Sequence, residues 1–277
     1  MKITCLVENT TASEDVIPRH GLSLLIETRD HTLLFDTGPD RTFADNARHL
    51  GIDLKRVDTA VISHGHYDHG GGLPLFQKIN PGARVFMTQG AMGRFFVLSS
   101  GTAPKDIGLN HGAIDTRRCT FISEDTPVSD ALHLFTGFTR NGVIPAGNAV
   151  LYRETPESMK IPDDFTHELA LLVREGSTTL LLTGCSHSGL GNMLATVLER
   201  TGLTHVDHVV GGFHLYNPSA RQTEPRKRLD RFAGELLKHP RTRFHTGHCT
   251  GPDAPAHLKK ILGDRLTTFS TGSRIET

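Results

Sequence analysis

One run constrains this chain more than any other: Ser63-His64-Gly65-His66-Tyr67-Asp68-His69-Gly70-Gly71-Gly72. It follows an apolar stretch, 57–62, that reads as a short strand. Four candidate metal ligands, His64, His66, Asp68 and His69, fall within six residues. Successive residues of a helix turn by about 100°, so this spacing does not share one helix face. The expected setting is a loop after a strand, where Gly65 and Gly70 to Gly72 let the side chains fan around a centre. Imidazole and carboxylate suit zinc, manganese or iron. A solvated polar loop would not combine this ligand density with a strand before it and three glycines after it. The chain carries 17 histidines against 30 Lys+Arg, and the strongest concentration lies here.

Around this run the sequence reads as strands and helices in alternation. A strand over 2–8 is followed by a hairpin, 22–28 and 32–36, turning at Arg29-Asp30-His31. A helix over 40–50 has Phe43, Ala47 and Leu50 on one side and Gly51 as its stop. A helix over 73–79 and a strand over 84–88 come after the histidines. The second half repeats this grammar. A hairpin, 169–174 and 178–182, turns at Glu175-Gly176-Ser177. A helix to 201, a strand over 205–210, a helix over 222–238, a strand over 242–246, a helix over 254–262 and a final strand over 266–270 complete it. Two stretches, 89–120 and 136–164, lack periodicity and read as functional loops or a lid. Hairpins with helices outside them imply two sheets packed face to face under helices. No linker separates the halves, so a single domain over 1–277 is expected.

Composition narrows the function. With 37% hydrophobic and 22% charged residues the chain is globular in character. Lys+Arg and Asp+Glu are both 30, and a net charge of zero argues against nucleic acid or an anionic membrane as partner. No apolar run reaches the roughly 18 residues of a membrane span. The first residues turn polar too soon for a signal peptide, and Cys5, Cys119, Cys185 and Cys249 form no CxxC pair, so a cytoplasmic location is expected. The expected partner is a small-molecule substrate.

Three later histidines compete to complete the site, each just after a predicted strand: His187 in Thr-Gly-Cys-Ser-His-Ser-Gly, His214 in Gly-Gly-Phe-His-Leu, and His248 in Thr-Gly-His-Cys-Thr-Gly. His20 and His111 precede glycines and are candidates for the rim of a cleft. Tyr67 is expected in the core or at the surface, and Phe95-Phe96 in the core.

The run His64-x-His66-x-Asp68-His69 resembles the HxHxDH signature of the metallo-β-lactamase superfamily, and Leu34-Phe35-Asp36-Thr37-Gly38 resembles its strand-end Asp-x-Gly. The resemblance implies an α/β fold of the αββα four-layer sandwich type with one or two divalent metal ions, zinc first and manganese or iron as alternatives. It implies that His64 and His66 serve one metal, and Asp68 and His69 the second. His187 would complete the first and His248 the second, with His214 a ligand or a substrate-facing acid/base. Where the superfamily usually has Gly-Asp, this chain has Gly184-Cys185. Cys185 is then a ligand, or a buried thiol with His187 taking over, and His167 is a fallback ligand. Asp36 would support a ligand from behind, or simply form a turn. The set HGHYDHGGGL, TGCSHSG, GGFHL and GHCTG is similar to the dihydropteroate-synthase-like branch, which includes 7,8-dihydropterin-6-methyl-4-(ribofuranosyl)aminobenzene 5′-phosphate synthases.

The implied function is a hydrolase that uses metal-bound hydroxide on a small-molecule ester, lactone, amide or phosphoester, with Asp68 and His214 as catalytic candidates. The alternatives are a pterin-aminobenzene ribosyl phosphate synthase, a transferase, and a non-catalytic or redox di-metal protein.

Overall fold

Alternation along the strands sets the layers. In the strand Leu169–Glu175, residues Leu169, Leu171 and Val173 face one apolar cluster while Ala170 and Leu172 face another. Leu24 and Ile26 are separated from Leu25 in the same way, as are Leu33 and Phe35 from Leu34. A period of two with both faces apolar means that each sheet is covered on both sides. The computed structural model, which describes residues 1–98 and 103–277, shows how.

Two seven-stranded sheets stack face to face. The first runs in the order Arg274–Glu276, Lys2–Val7, Ser23–Glu27, Thr32–Phe35, Thr59–Val61, Arg84–Thr88, Cys119–Ile122. The second runs Leu266–Thr268, Arg243–Thr246, His208–Gly211, Thr178–Thr183, Leu169–Glu175, Leu132–Thr136, Thr126–Pro127. Between them lies a core that includes Phe35, Leu171, Leu182 and Val210. Helices Thr42–His49 and Leu73–Ile79 pack Phe43, Ala47, Leu73 and Phe76 onto the outer face of the first sheet. Helices Leu190–Thr201, Arg226–Leu237 and Ala254–Leu262 cover the second with residues such as Met193, Phe232 and Leu258. The architecture is an αββα sandwich.

Each sheet contains antiparallel hairpins and a set of parallel strands, among them Thr32–Phe35 with Thr59–Val61 in the first, and Thr178–Thr183, His208–Gly211 and Arg243–Thr246 in the second. The carboxyl ends of these parallel strands lie on one edge of the sandwich, where α/β sheets place their ligand crevices. The lead residues Asp36, Ser63-His64, Cys185, His214 and His248 all follow such ends.

Several expectations need correction. The stretches 89–120 and 136–164 are not merely loops. Phe95–Val97, Lys105–Asp106, Leu151–Glu154 and Lys160–Pro162 pair into a four-stranded sheet of their own. Residues 99–102 of the first stretch lie outside the described residues. Strands Cys119–Ile122 and Leu132–Thr136 join the two large sheets, and the chain does not finish at the strand Leu266–Thr268, because Arg274–Glu276 pairs antiparallel with Lys2–Val7. The helix expected over 222–238 begins at Arg226, after Pro225, while Gln222–Thr223 pairs with Tyr216–Asn217. Pro fits a helix's start because its missing N–H has no partner there in any case. No helix among the described residues is long and apolar enough to cross a membrane.

Candidate metal centre

The site begins with a carboxylate. Asp36 ends the strand Thr32–Phe35 with a positive φ of 60° and is fully buried. Its Oδ1 accepts the Ser63 N–H at 2.7 Å. Its Oδ2 accepts the Ser63 hydroxyl at 2.7 Å and the His69 Nδ1–H at 2.6 Å. The turn role and the supporting role considered for Asp36 therefore coincide. Among the described residues seven non-glycine positions have positive φ, and Asp36, Ser186, His214 and His248 are four of them, all at this edge. Strained backbone gathers where a geometry is imposed for a purpose.

The tautomers follow from donor bookkeeping. The Ser63 hydroxyl gives its one proton to Asp36, so at 2.9 Å it accepts from His64 Nδ1. His187 Nδ1 donates to Asn148 Oδ1 at 3.0 Å, and His248 Nδ1 donates to Asn9 Oδ1 at 2.9 Å. With His69 on Asp36, four imidazoles are tethered through Nδ1 to an oxygen behind them, and each is left with a lone pair on Nε2. The Nε2 of His187 is buried without a partner, and so is that of His66. His69 Nε2 stands 3.1 Å from Cys185 Sγ and 3.2 Å from His248 Nε2, and His64 Nε2 stands 3.0 Å from His66 Nδ1. Ring nitrogens held this way are the usual environment of a metal-ligating histidine.

Among the described residues five groups of candidate donors result, and two of them form the heart of the site. His64, Cys185 and His187 offer atoms all within 4.8 Å of one another, and so do His69, Cys185 and His248. The rings of His64, His66 and His187 lie 4.5 to 5.1 Å apart, centre to centre. Asp68 Oδ2 is 3.4 Å from His248 Nε2 and 3.3 Å from His20 Nε2. Cys185 thus stands between the two groups. The loop expected for all four ligands holds only in part: Tyr67–Gly70 is a single helical turn, with His66 extended before it. That turn separates Asp68 and His69 from His64 and His66.

The electrostatics suit a cation. Burial holds His64 and His187 well below the ordinary imidazole pKa, and it brings His66 down to about 3, with neighbouring imidazoles adding to each shift. These rings are neutral, as ligation requires. For His69 burial acts downward too, but the charges of Asp36 and Asp68 outweigh it and raise the pKa. Burial works against the Asp68 carboxylate, yet His69 and the hydrogen bonds from His20 and His248 hold it well below the usual range. Burial, with Cys249 adding, pushes the Cys185 thiol well up.

Close approach between loops requires glycine at two points. A Cβ on Gly65 would strike the Phe95 ring and the Ala91 carbonyl, and one on Gly184 would strike Ser63 and His64. Gly184 is what lets the second sheet's loop reach the first sheet's histidines.

The other candidates separate cleanly. His167 is buried, but both its nitrogens are used: Nδ1 accepts the Gly65 N–H at 3.1 Å and Nε2 donates to Asp163 at 3.1 Å. It holds the loop between His64 and His66, and with His66 and Asp163 it forms a donor group of its own, with atoms all within 4.8 Å of one another. His214 is buried with its ring 4.2 Å from that of His187 and its Nδ1 without a partner. His20 borders the cleft, whereas His111 lines a separate groove with Arg94 and Asp106. Phe95 packs on His167 at 4.1 Å, and Phe95 and Phe96 are both buried as expected. Tyr67, expected in the core or at the surface, is half-buried and lines the cavity.

Sequence reading missed the residues that anchor the second edge. Glu168 is fully buried and accepts the N–H groups of His187 at 2.7 Å and Ser188 at 2.8 Å. Glu8 accepts the His248 N–H at 2.6 Å. The available signal was an acidic residue directly against an apolar strand, at the end of 2–7 and at the start of 169–175.

Above the centre is a cavity of about 370 Å³. His66, Asp68, Cys185, His187, His214 and His248 form its floor. Val97, Ile107, Val150 and Leu151, from or beside the small four-stranded sheet, form an apolar wall. Lys105 is the one Lys or Arg lining it among the described residues.

Comparison with known proteins agrees with this geometry. Residues 16–88 match the model of the metallo-beta-lactamase superfamily. The chain is 27% identical over 258 residues, 84% of its length and 81% of the relative's, to the 7,8-dihydropterin-6-methyl-4-(beta-D-ribofuranosyl)-aminobenzene-5'-phosphate synthase of Methanocaldococcus jannaschii. It is 24% identical to an uncharacterized protein of the same organism over 94% of each chain. Among solved structures it is similar to a metal-dependent hydrolase of the beta-lactamase superfamily, with a TM-score of 0.84 and 26% identity over 100% of this chain and 99% of that one.

Proposed function

We propose, for a chain that belongs to the metallo-β-lactamase superfamily, that this protein is a metal-dependent hydrolase of a small-molecule ester, lactone, amide or phosphoester. One arrangement carries the reading: four imidazoles, His64, His69, His187 and His248, are each tethered through Nδ1 to an oxygen behind them, and two of them, His187 and His248, reach the floor of the cavity. His64, His66 and His187 would hold one cation, and Asp68, His69 and His248 a second, with Cys185 between them. Zinc fits this nitrogen and sulfur set best, with manganese or iron next. A divalent cation held there supplies a Lewis acid for the substrate's carbonyl or phosphoryl oxygen and lowers the pKa of water from about 15.7 toward about 7.

The chain's own groups do the rest. Asp68 faces the cavity and takes the proton of the attacking water, and His20, half exposed and 3.3 Å away, passes it to solvent. His214, beside His187 on the cavity floor, gives a proton to the leaving group. The wall of Val97, Ile107, Val150 and Leu151 holds the substrate's apolar body and excludes water from the charged floor. Four free thiols fit a cytoplasmic enzyme.

The identity with the M. jannaschii relative favours a second reading, a synthase that joins a dihydropterin to a ribofuranosyl-aminobenzene phosphate. The test is an assay of purified, metal-loaded protein against esters, lactones, amides, phosphodiesters and that substrate pair. Hydrolysis of at least one class, lost on chelation, is expected. Coupling of the pair with no hydrolysis anywhere would overturn the first reading in favour of the second.

A further inference from the structure

Three neighbouring parallel strands, Thr178–Thr183, His208–Gly211 and Arg243–Thr246, each deliver a donor just past their ends: Cys185, His214 and Cys249. One ligand atom from each lies within 4.8 Å of the other two. All three residues are more than nine-tenths buried, and all border the cavity. The Nδ1 of His214 is buried and has no partner. The backbone places the second sulfur with care: the His214 N–H donates to Cys249 Sγ at 3.3 Å, and a Cβ on Gly212 would collide with that sulfur. The two cation positions described above use neither Cys249 nor His214.

Two sulfurs and an imidazole are a soft donor set that selects thiophilic ions over magnesium or manganese. A Cys₂His set also leaves a fourth tetrahedral position open, here on the cavity side. We propose that Cys185, His214 and Cys249 form a further, sulfur-rich subsite for a thiophilic divalent cation of the zinc and cadmium class. Each thiol loses its proton to solvent as its sulfur–metal bond forms. The proposal shares Cys185 and His214 with the hydrolytic reading but does not require that the protein hydrolyse anything. Where that reading also holds, an ion on His214 withdraws the leaving group's proton donor, and filling the subsite slows turnover.

The test is a Cd²⁺ titration of the full chain after its metal is removed with a chelator, read by thiolate-to-cadmium charge-transfer absorbance. That absorbance counts sulfur–metal bonds. The unaltered chain is expected to show a contribution from Cys249 that Cys249→Ser removes, with the band from Cys185 remaining and the circular dichroism spectrum unchanged. His214→Gln is expected to keep both sulfur contributions but weaken Cd²⁺ binding at least about tenfold, the loss that removing even an outer partner of a metal ligand brings. Equal band intensity in the unaltered chain and Cys249→Ser would overturn the proposal, as would unchanged cadmium affinity in His214→Gln.

Discussion

The two sheets contribute to one site in different ways. The first sheet gives a contiguous run, His64 to His69, anchored by one carboxylate, Asp36, that grips both Ser63 and His69. The second gives Cys185, His187, His214 and His248 from three separate strand ends, tied down by Glu168, Glu8, Asn148 and Asn9. The first edge is thus a local motif with a single keystone, while the second is an assembly of long-range contacts. His248 and Glu8 are 240 positions apart. Loss of the first edge's anchor therefore reaches two ligands at once, His69 directly and His64 through Ser63, while damage to the second stays with one loop.

That contrast can be broken or sharpened by substitution. His66→Ala removes a first-edge ligand whose Nε2 has no structural partner. Hydrolysis is expected to fall by at least about 10²-fold, the scale of losing one transition-state stabiliser. Metal content should fall by elemental analysis while the circular dichroism spectrum holds, and retained metal with retained rate would refute the assignment. Asp36→Ala strands a buried Ser63 N–H and the His69 ring, and about 3–5 kcal/mol of stability should be lost in urea unfolding. Glu168→Gln on the second edge leaves one backbone N–H facing an amide donor, for a loss of about 1–3 kcal/mol. If Glu168→Gln were as damaging as Asp36→Ala, the keystone description of the first edge would fail. Asn148→Ala frees the His187 ring but touches no other ligand, so metal affinity should weaken about 10–100-fold with little change in unfolding. Lys105→Ala, at the exposed rim of the cavity, should change stability by no more than about 0.5 kcal/mol. A larger loss would mean that the rim carries structural weight.

The same contrast explains what sequence reading reached. The helix Leu73–Ile79 and the strand Arg84–Thr88 lie where periodicity puts them, and both hairpins agree to within a residue or two at their ends. Their pairing is local, and their apolar faces are set by alternation. The dense histidine run was legible because ligand chemistry and loop glycines share one short segment. The small sheet was not: its strands have two to four residues, and its two short hairpins become one sheet only where Phe95–Val97 pairs with Leu151–Glu154 across 54 or more positions, as Phe96 does with Tyr152. Arg274–Glu276 escaped for a similar reason, since three residues of mixed character carry no period and its partner lies at the other end of the chain. For His167, position before an apolar strand cannot tell a ligand from a ring whose two nitrogens hydrogen-bond to Gly65 and Asp163. Glu8, Asn148 and Glu168 are ordinary polar residues until the fold buries them against backbone and imidazole groups.

The most direct measurement is anomalous diffraction at the metal absorption edge from crystals of the full chain grown with zinc. The account predicts one or two anomalous peaks within bonding distance of His64, His66, His187 or of Asp68, His69, His248, with Cys185 beside them. Crystals that bind zinc only elsewhere, with these imidazole Nε2 atoms hydrogen-bonded to water, would contradict it.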